Sequence, residues 1–143
     1  MARAVFFRSL SKAPVMMVVD HSNVPAVVLV VEDEMLLRMR AVDMVEDAGF
    51  TSVEAVDADE AVAILESRSD IVLMLTDIQM PGTMDGLKLA HAVHERWPPI
   101  RIILVSGQLK LTTIDIPAGS EFFGKPLDAK QMIAEMQKMI GRA

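Results

Sequence analysis

Ile71 to Gly86 reads I-V-L-M-L-T-D-I-Q-M-P-G-T-M-D-G, and its reading decides the fold. Five apolar residues, Ile71 to Leu75, bounded by a loop rich in Pro and Gly, predict a strand buried on both faces. The strand ends at Thr76, and Asp77 stands where the chain leaves the sheet. A carboxylate there is costly without a partner or a metal, and it lies at the edge where parallel sheets bind ligands. Met80-Pro81-Gly82 stops any immediate helix, so Asp77 is not read as a helix cap and becomes the first functional candidate.

Working outward, four more strands share this character. Ala26 to Val31 is a continuous apolar run ending in Glu32-Asp33-Glu34; Thr51 to Ala55 is short; Ile100 to Val105 ends at Ser106-Gly107; Glu121 to Gly124 ends at Lys125-Pro126. Between them, Leu37, Ala41, Met44, Val45 and Ala48 share one helical face, closed by Gly49, and Ala58 to Ser67 repeats the pattern with Ala61, Ile64 and Leu65 inward. Asp85 opens a helix that runs to Trp97 before Pro98-Pro99, and Asp128 caps one whose inner stripe is Met132, Ile133, Met136 and Ile140. Gln108 to Ser120 has poor periodicity and carries Pro117 and Gly119, so at most a short or irregular fourth helix fits there. Strand and helix alternate five times, which predicts an α/β fold: a doubly wound, five-stranded parallel sheet with right-handed crossovers.

Composition sets limits. The 143 residues suit one domain, and 52% hydrophobic with 24% charged residues suits a compact core, filled by aliphatic and Met side chains because only five Phe and one Trp are present. No cysteine means no disulfide, thiolate metal site or Cys nucleophile. A net charge of −6 argues against broad nucleic-acid binding, and no apolar run is long enough to insert in a membrane. Residues 1–25 differ: Arg3, Arg8 and Lys12 precede any acid, and Pro14 and Pro25 interrupt the pattern. They are expected to form a flexible tail, weakly like a targeting peptide or the product of an upstream start, dispensable for the domain at 26–143. An end at Ala143 leaves no expected room for an output domain.

Residues just after the strands form one set: Glu32 and Asp33, Asp77, Ser106 and Lys125. Two like charges about 4 Å apart repel by roughly 4 kcal/mol at an effective dielectric near 20, so three clustered carboxylates take up protons or recruit a cation. With oxygen donors only, that cation is Mg²⁺. A metal and an ammonium beside one carboxylate describe phosphoryl transfer, with Asp77 as nucleophile forming an acyl phosphate. His91 and His94, three apart on one helix, read as a solvated face rather than a metal site.

The ordered pieces V-V-E-D-E (Val30 to Glu34), L-T-D-I-Q-M-P-G (Leu75 to Gly82), V-S-G (Val105 to Gly107) and F-F-G-K-P (Phe122 to Pro126) resemble the two-component response-regulator receiver domain over about Ala26 to Ile140. The resemblance implies a flavodoxin-like (βα)5 fold with Asp77 as phosphoacceptor. It implies Mg²⁺ held by Glu32, Asp33, Asp77 and the main-chain carbonyl of Gln79. Ser106 would bond the phosphoryl group, Gly107 would leave it room and Lys125 would pair with it, before a cis peptide to Pro126. Ser106 and Phe122 fall at the family's switch positions, and Gln79 and Gln108 at those that tune phosphate lifetime.

The expected function is a stand-alone cytoplasmic receiver that takes its phosphoryl group from a histidine kinase or phosphotransfer protein. It signals by contact or onward transfer and catalyses only its own phosphorylation and dephosphorylation. The downstream protein is unnamed, and a second copy of the chain is one candidate partner. The stretch from Ser106 to Lys125 is shorter than usual in receivers, which predicts a remodelled partner surface, and Thr83-Met84 lengthens the loop beside the site. Alternatives are a phosphate-independent interaction module on the same fold, a flavin-binding module, and a Mg²⁺-dependent phosphoaspartyl phosphatase. Gln79 stands where the phosphatase would want a second acid.

Overall fold

The computed structural model describes residues 2–8, 14–20, 24–107 and 115–141. In chain order the elements are β1 (Ala2–Arg8), β2 (Pro14–Asp20), β3 (Val27–Val31), α1 (Met35–Asp47), β4 (Thr51–Ala55), α2 (Ala58–Ser67), β5 (Ile71–Asp77), α3 (Gly86–Arg96), β6 (Arg101–Ser106), β7 (Glu121–Gly124) and α4 (Ala129–Ile140). Five strands form one parallel sheet in the order β4-β3-β5-β6-β7. The predicted doubly wound sheet is therefore present, with β5 at its centre.

Successive residues of a strand face opposite sides, so each buried strand feeds two cores. Leu29, Val31, Met74, Ile102 and Leu104 pack with α2 and α3 on one face. Val28, Val30, Leu73, Leu75, Ile103 and Val105 pack with α1 and α4 on the other. Where β5 meets β3, Val27 pairs with Ile71 but Val28 pairs with Leu73. The extra residue, Val72, is an exposed bulge. It puts Ile71 and Leu73 on opposite faces although they lie two apart.

Helix ends follow local chemistry. Gly49, at φ +96°, follows α1 in the left-handed conformation that other residues adopt at a cost. Asp57, Asp85 and Asp128 cap α2, α3 and α4 by accepting from the backbone N–H three residues on. Residues 115–120 hold a turn, with Ser120 N–H donating to the Pro117 carbonyl at 3.1 Å, and no helix. The remainder of the expected irregular fourth helix, and Gln108 with it, lies outside the described residues.

Within residues 1–25, where Pro14 and Pro25 were expected to interrupt any strand pattern, the structure has two strands. β1 and β2 pair antiparallel, Ala2 opposite Asp20 and Arg8 opposite Pro14, in a two-stranded sheet separate from the other five. Pro14 opens β2 rather than interrupting it, and the first position of a strand tolerates proline.

Candidate functional site

The C-terminal ends of β3, β5, β6 and β7 bring the predicted set together. Glu32, 6% exposed, follows β3; its N–H donates to the Ala55 carbonyl at 3.0 Å, tying the loop to β4. One Glu32 carboxylate oxygen, Oε2, accepts from Glu34 N–H at 3.0 Å. The Arg38 guanidinium, one turn into α1, donates to the Glu32 carbonyl at 2.9 Å and to Glu54 Oε1 at 3.0 Å. Asp77, also 6% exposed, closes β5, and the next N–H, that of Ile78, donates to the Val105 carbonyl on β6 at 2.9 Å. Ser106 is buried at the end of β6, and its carbonyl accepts from Lys125 N–H at 3.0 Å, which carries the lysine to the same edge. The Lys125–Pro126 peptide is cis, as the resemblance implied.

Lys125 Nζ donates to Asp77 Oδ2 at 3.0 Å and lies 3.5 Å from Glu32 Oε1. Burial lifts the Glu32 carboxyl above its usual 4.5, and the like charge of Asp77 adds to the lift. Burial draws Lys125 down, but its bond to Asp77 and the charges of Asp77 and Glu32 outweigh that and raise it above 10.5. Carboxylate oxygens of Glu32, Asp33 and Asp77 all lie within 4.8 Å of one another. The remaining Asp77 oxygen, Oδ1, is buried with no hydrogen-bond partner. An all-oxygen donor set with an unsatisfied buried acceptor fits a hard divalent cation such as Mg²⁺.

Gln79 is exposed two residues beyond Asp77, and its Oε1 accepts from Ser106 Oγ at 2.7 Å. Gly107 follows β6 beside Lys125, whose Cβ would lie 3.6 Å from a Cβ at that position. Phe122 is half-buried against the core on the α2–α3 side. His91 and His94 are exposed on α3, away from the carboxylates; His91 Nε2 lies 2.6 Å from the Asp115 carbonyl. In the loop after β5 Thr83 Oγ1 donates to Asp59 Oδ1 on α2 at 2.9 Å. A crevice of about 580 Å³ between α1 and the segment after β7 opens onto Glu32, Asp77 and Lys125, with Leu37, Ala41 and Leu127 among its apolar walls.

Two residues the sequence reading passed over shape the site. Arg38 braces the loop that carries the acidic pair; its position one turn after Glu34 was the available signal. Gly86 begins α3, where most residues serve as well, so a glycine directly after the Asp85 cap marks a close approach. A Cβ there would overlap the Asp77 carbonyl and stand 2.9 Å from Ile78 Cα, while Gly86 N–H donates to the Ile78 carbonyl at 2.9 Å.

This geometry has relatives. A sensor kinase, CckA of Brucella abortus, is 33% identical over 119 residues, 80% of this chain but 12% of the kinase. The response regulator receiver protein CpdR of the same species is 28% identical over 116 residues, 79% of this chain and 95% of CpdR. The chain spans 12% to 58% of the length of the first curated relatives it matches. Among solved structures, a receiver domain from the hybrid histidine kinase CckA superposes with a TM-score of 0.68 at 28% identity, covering 80% of this chain and 98% of that one. A CheY-like receiver from Methanospirillum hungatei, at 23% identity, shares the fold with a TM-score of 0.74, over 82% of this chain and 94% of its own. The sheet with acids, hydroxyl and lysine at one edge accords with the match of residues 28–137 to the response regulator receiver domain, and the chain belongs to that family of two-component signalling proteins.

Proposed function

We propose that this receiver takes a phosphoryl group onto Asp77 from a phosphohistidine on a sensor kinase or phosphotransfer protein, and signals through protein contacts or onward transfer. The observation that carries the reading is the asymmetry of Asp77: Oδ2 is held by Lys125, while Oδ1 is buried without a partner beside Glu32 and Asp33. In the transfer a carboxylate oxygen of Asp77 forms the new O–P bond. The donor's N–P bond breaks and its electron pair stays on the imidazole nitrogen. Lys125 balances charge on the phosphoryl oxygens, and Ser106 supplies a hydrogen bond to one of them. Glu32, Asp33, Asp77 and the Gln79 main-chain carbonyl would hold Mg²⁺, which when bound supplies Lewis-acid neutralisation of the same oxygens. Hydrolysis of the acyl phosphate restores the carboxylate, so the domain catalyses only its own phosphorylation and dephosphorylation, with Gln79 and Gln108 tuning the decay.

Phe122 would act as the aromatic half of the switch, repacking as Ser106 engages phosphate. No helix among the described residues is long and apolar enough to cross a membrane, and a cytoplasmic site of action accords with a kinase partner. Transfer is tested with a phosphotransfer protein carrying labelled phosphohistidine: the label should move to wild type and not to Asp77→Asn, and label retained on both would reject Asp77 as the acceptor.

Metal binding is tested separately. At ten times its dissociation constant Mg²⁺ stabilises the fold by about 1.4 kcal/mol, a rise of about 5 °C in Tm, and Asp33→Asn should lose it. Because Glu32 titrates above 4.5, protons compete for the site, and the shift should shrink as pH falls toward that range. An equal shift in wild type and Asp33→Asn would remove Asp33 from the metal site.

A further inference from the structure

β1 and β2 stand outside the five-stranded sheet and outside the stretch, 28–137, that matches the receiver family. They pair over seven residues each, and among the described residues no other strand pairs with either. Both outer edges are therefore open, with backbone N–H and C=O groups available to another strand. A two-stranded sheet is marginal by itself in water, and three or more strands are the usual minimum. Alternation along the paired register puts Val5, Phe7, Val15, Met17 and Val19 on one face and Ala4, Phe6, Met16 and Val18 on the other, so both faces are mostly apolar.

The two edges differ in charge. β1 carries Arg3 and Arg8 and no acid, so pairing it with another β1 would gather two arginines from each copy with no counter-charge. β2 reads P-V-M-M-V-V-D, with no charge before its last residue and with its proline at the end, where a missing N–H interrupts least. It is also self-complementary. An antiparallel pair of β2 strands centred on Met17 sets Val15 opposite Val19, Met16 opposite Val18 and Pro14 opposite Asp20 of the other copy. The two Asp20 residues then fall at opposite ends of the pair, about 20 Å apart.

We propose that β2 pairs with β2 of a second copy, joining two chains through one four-stranded antiparallel sheet in the order β1-β2-β2-β1. The two-fold axis passes through Met17 and each β2 edge is used once. The edges left outside are the arginine-bearing ones, so assembly stops at two. The pairing uses no residue of the receiver sheet and does not depend on what Asp77 does.

The test uses the full chain. It has no cysteine, so one introduced cysteine can form a disulfide only with another copy. Residues directly opposite in an antiparallel pair have Cα atoms about 4.5–5.5 Å apart, within disulfide reach. The two copies of residue 15, four positions out of register, would be about 14 Å apart, and those of residue 5, on the outer strands, about as far. Light scattering at micromolar concentration should give the mass of two chains. Under mild oxidation Met17→Cys should crosslink at least about tenfold faster than Val15→Cys or Val5→Cys. Met17→Lys and Met17→Glu each place like charges on the axis and should lose the dimer, and an equimolar mixture of the two should regain it.

A wild-type chain with the mass of one copy would overturn the pairing, and crosslinking as fast at Val15→Cys or Val5→Cys as at Met17→Cys would place the contact elsewhere. A dimer that survives both charge variants, or a mixture that stays monomeric, would overturn it too. So would a monomer that instead sediments with anionic lipid vesicles, which would make the two strands a membrane contact.

Discussion

Gly86→Ala is expected to destabilise the fold by about 3 kcal/mol or more and to abolish phosphoryl uptake. Helix propensity alone predicts the opposite, since alanine in place of glycine favours a helix by up to about 1 kcal/mol. The contact decides the sign. The added Cβ overlaps the Asp77 carbonyl and falls 2.7 Å from the Asp77 carbonyl carbon, and both obstacles are backbone rather than a side chain that could swing aside. Either the Gly86 N–H to Ile78 carbonyl bond breaks or the exit of β5 moves, and Asp77 moves with it. Overpacking of side chains commonly costs about 1–3 kcal/mol, and a main-chain clash at the end of the central strand belongs at the upper end. Urea unfolding measures this: a midpoint at or above that of wild type would show that the loop yields freely and that Gly86 has no part in holding Asp77.

The second large effect is expected from Lys125→Met, which keeps the aliphatic stem and removes the charge facing Glu32 and Asp77. Removing one partner of a buried ion pair costs about 3–5 kcal/mol, but the lysine side chain is 24% exposed and water relieves part of that, so about 1–2 kcal/mol is expected at neutral pH without Mg²⁺. The pH dependence has a definite sign. Lys125 titrates above 10.5 in the folded protein, so its contribution is present throughout the neutral range and lost as pH rises through the folded value. In the variant the two carboxylates repel, and taking up a proton relieves them. The deficit relative to wild type should therefore shrink as pH falls toward 4.5 and should also shrink when Mg²⁺ is added. Uptake of the phosphoryl group should fall by about a hundredfold, as on removal of one preorganised electrostatic group elsewhere. A deficit independent of both pH and Mg²⁺ would mean that the lysine acts through its stem.

Much of the fold was legible because a strand covered on both faces has no polar side to hide it. Val27–Val31 and Arg101–Ser106 stand out as nearly unbroken apolar runs, and the residue after each run lands at the ligand edge. Helix ends were legible where one residue type has one local use, as at Gly49, Asp85 and Asp128. What escaped depends on partners distant in sequence. The bulge at Val72 sits inside an apolar run and shows only in its register against β3. Met139 is buried, although the predicted inner stripe of its helix omitted it, because α4 presents a wider face to the sheet than one stripe. Pro14 was read as a break, whereas the pairing of β1 with β2 gives it an end position.

At the site, residue types and their order pointed to Glu32, Asp33, Asp77, Ser106 and Lys125, and the parallel sheet brings their strand ends to one edge. Hydrogen-bond direction was not legible. Ser106 was expected to face phosphate, and nothing in the sequence indicated that its hydroxyl is directed at Gln79. Arg38 and Gly86 were equally hidden, because a brace and a close approach are relations between backbone positions of different elements.

The central claim is that Asp77 takes up a phosphoryl group with the help of the acids around it. Intact-mass spectrometry of wild type and Asp77→Ala after incubation with acetyl phosphate, with and without Mg²⁺, tests it most directly. The account predicts a gain of one phosphoryl group in wild type with Mg²⁺, none in Asp77→Ala, and little without the metal. A gain of the same size in Asp77→Ala, or no gain in wild type with Mg²⁺ from either acetyl phosphate or a phosphohistidine donor, would contradict it and leave a receiver fold that works by contact alone.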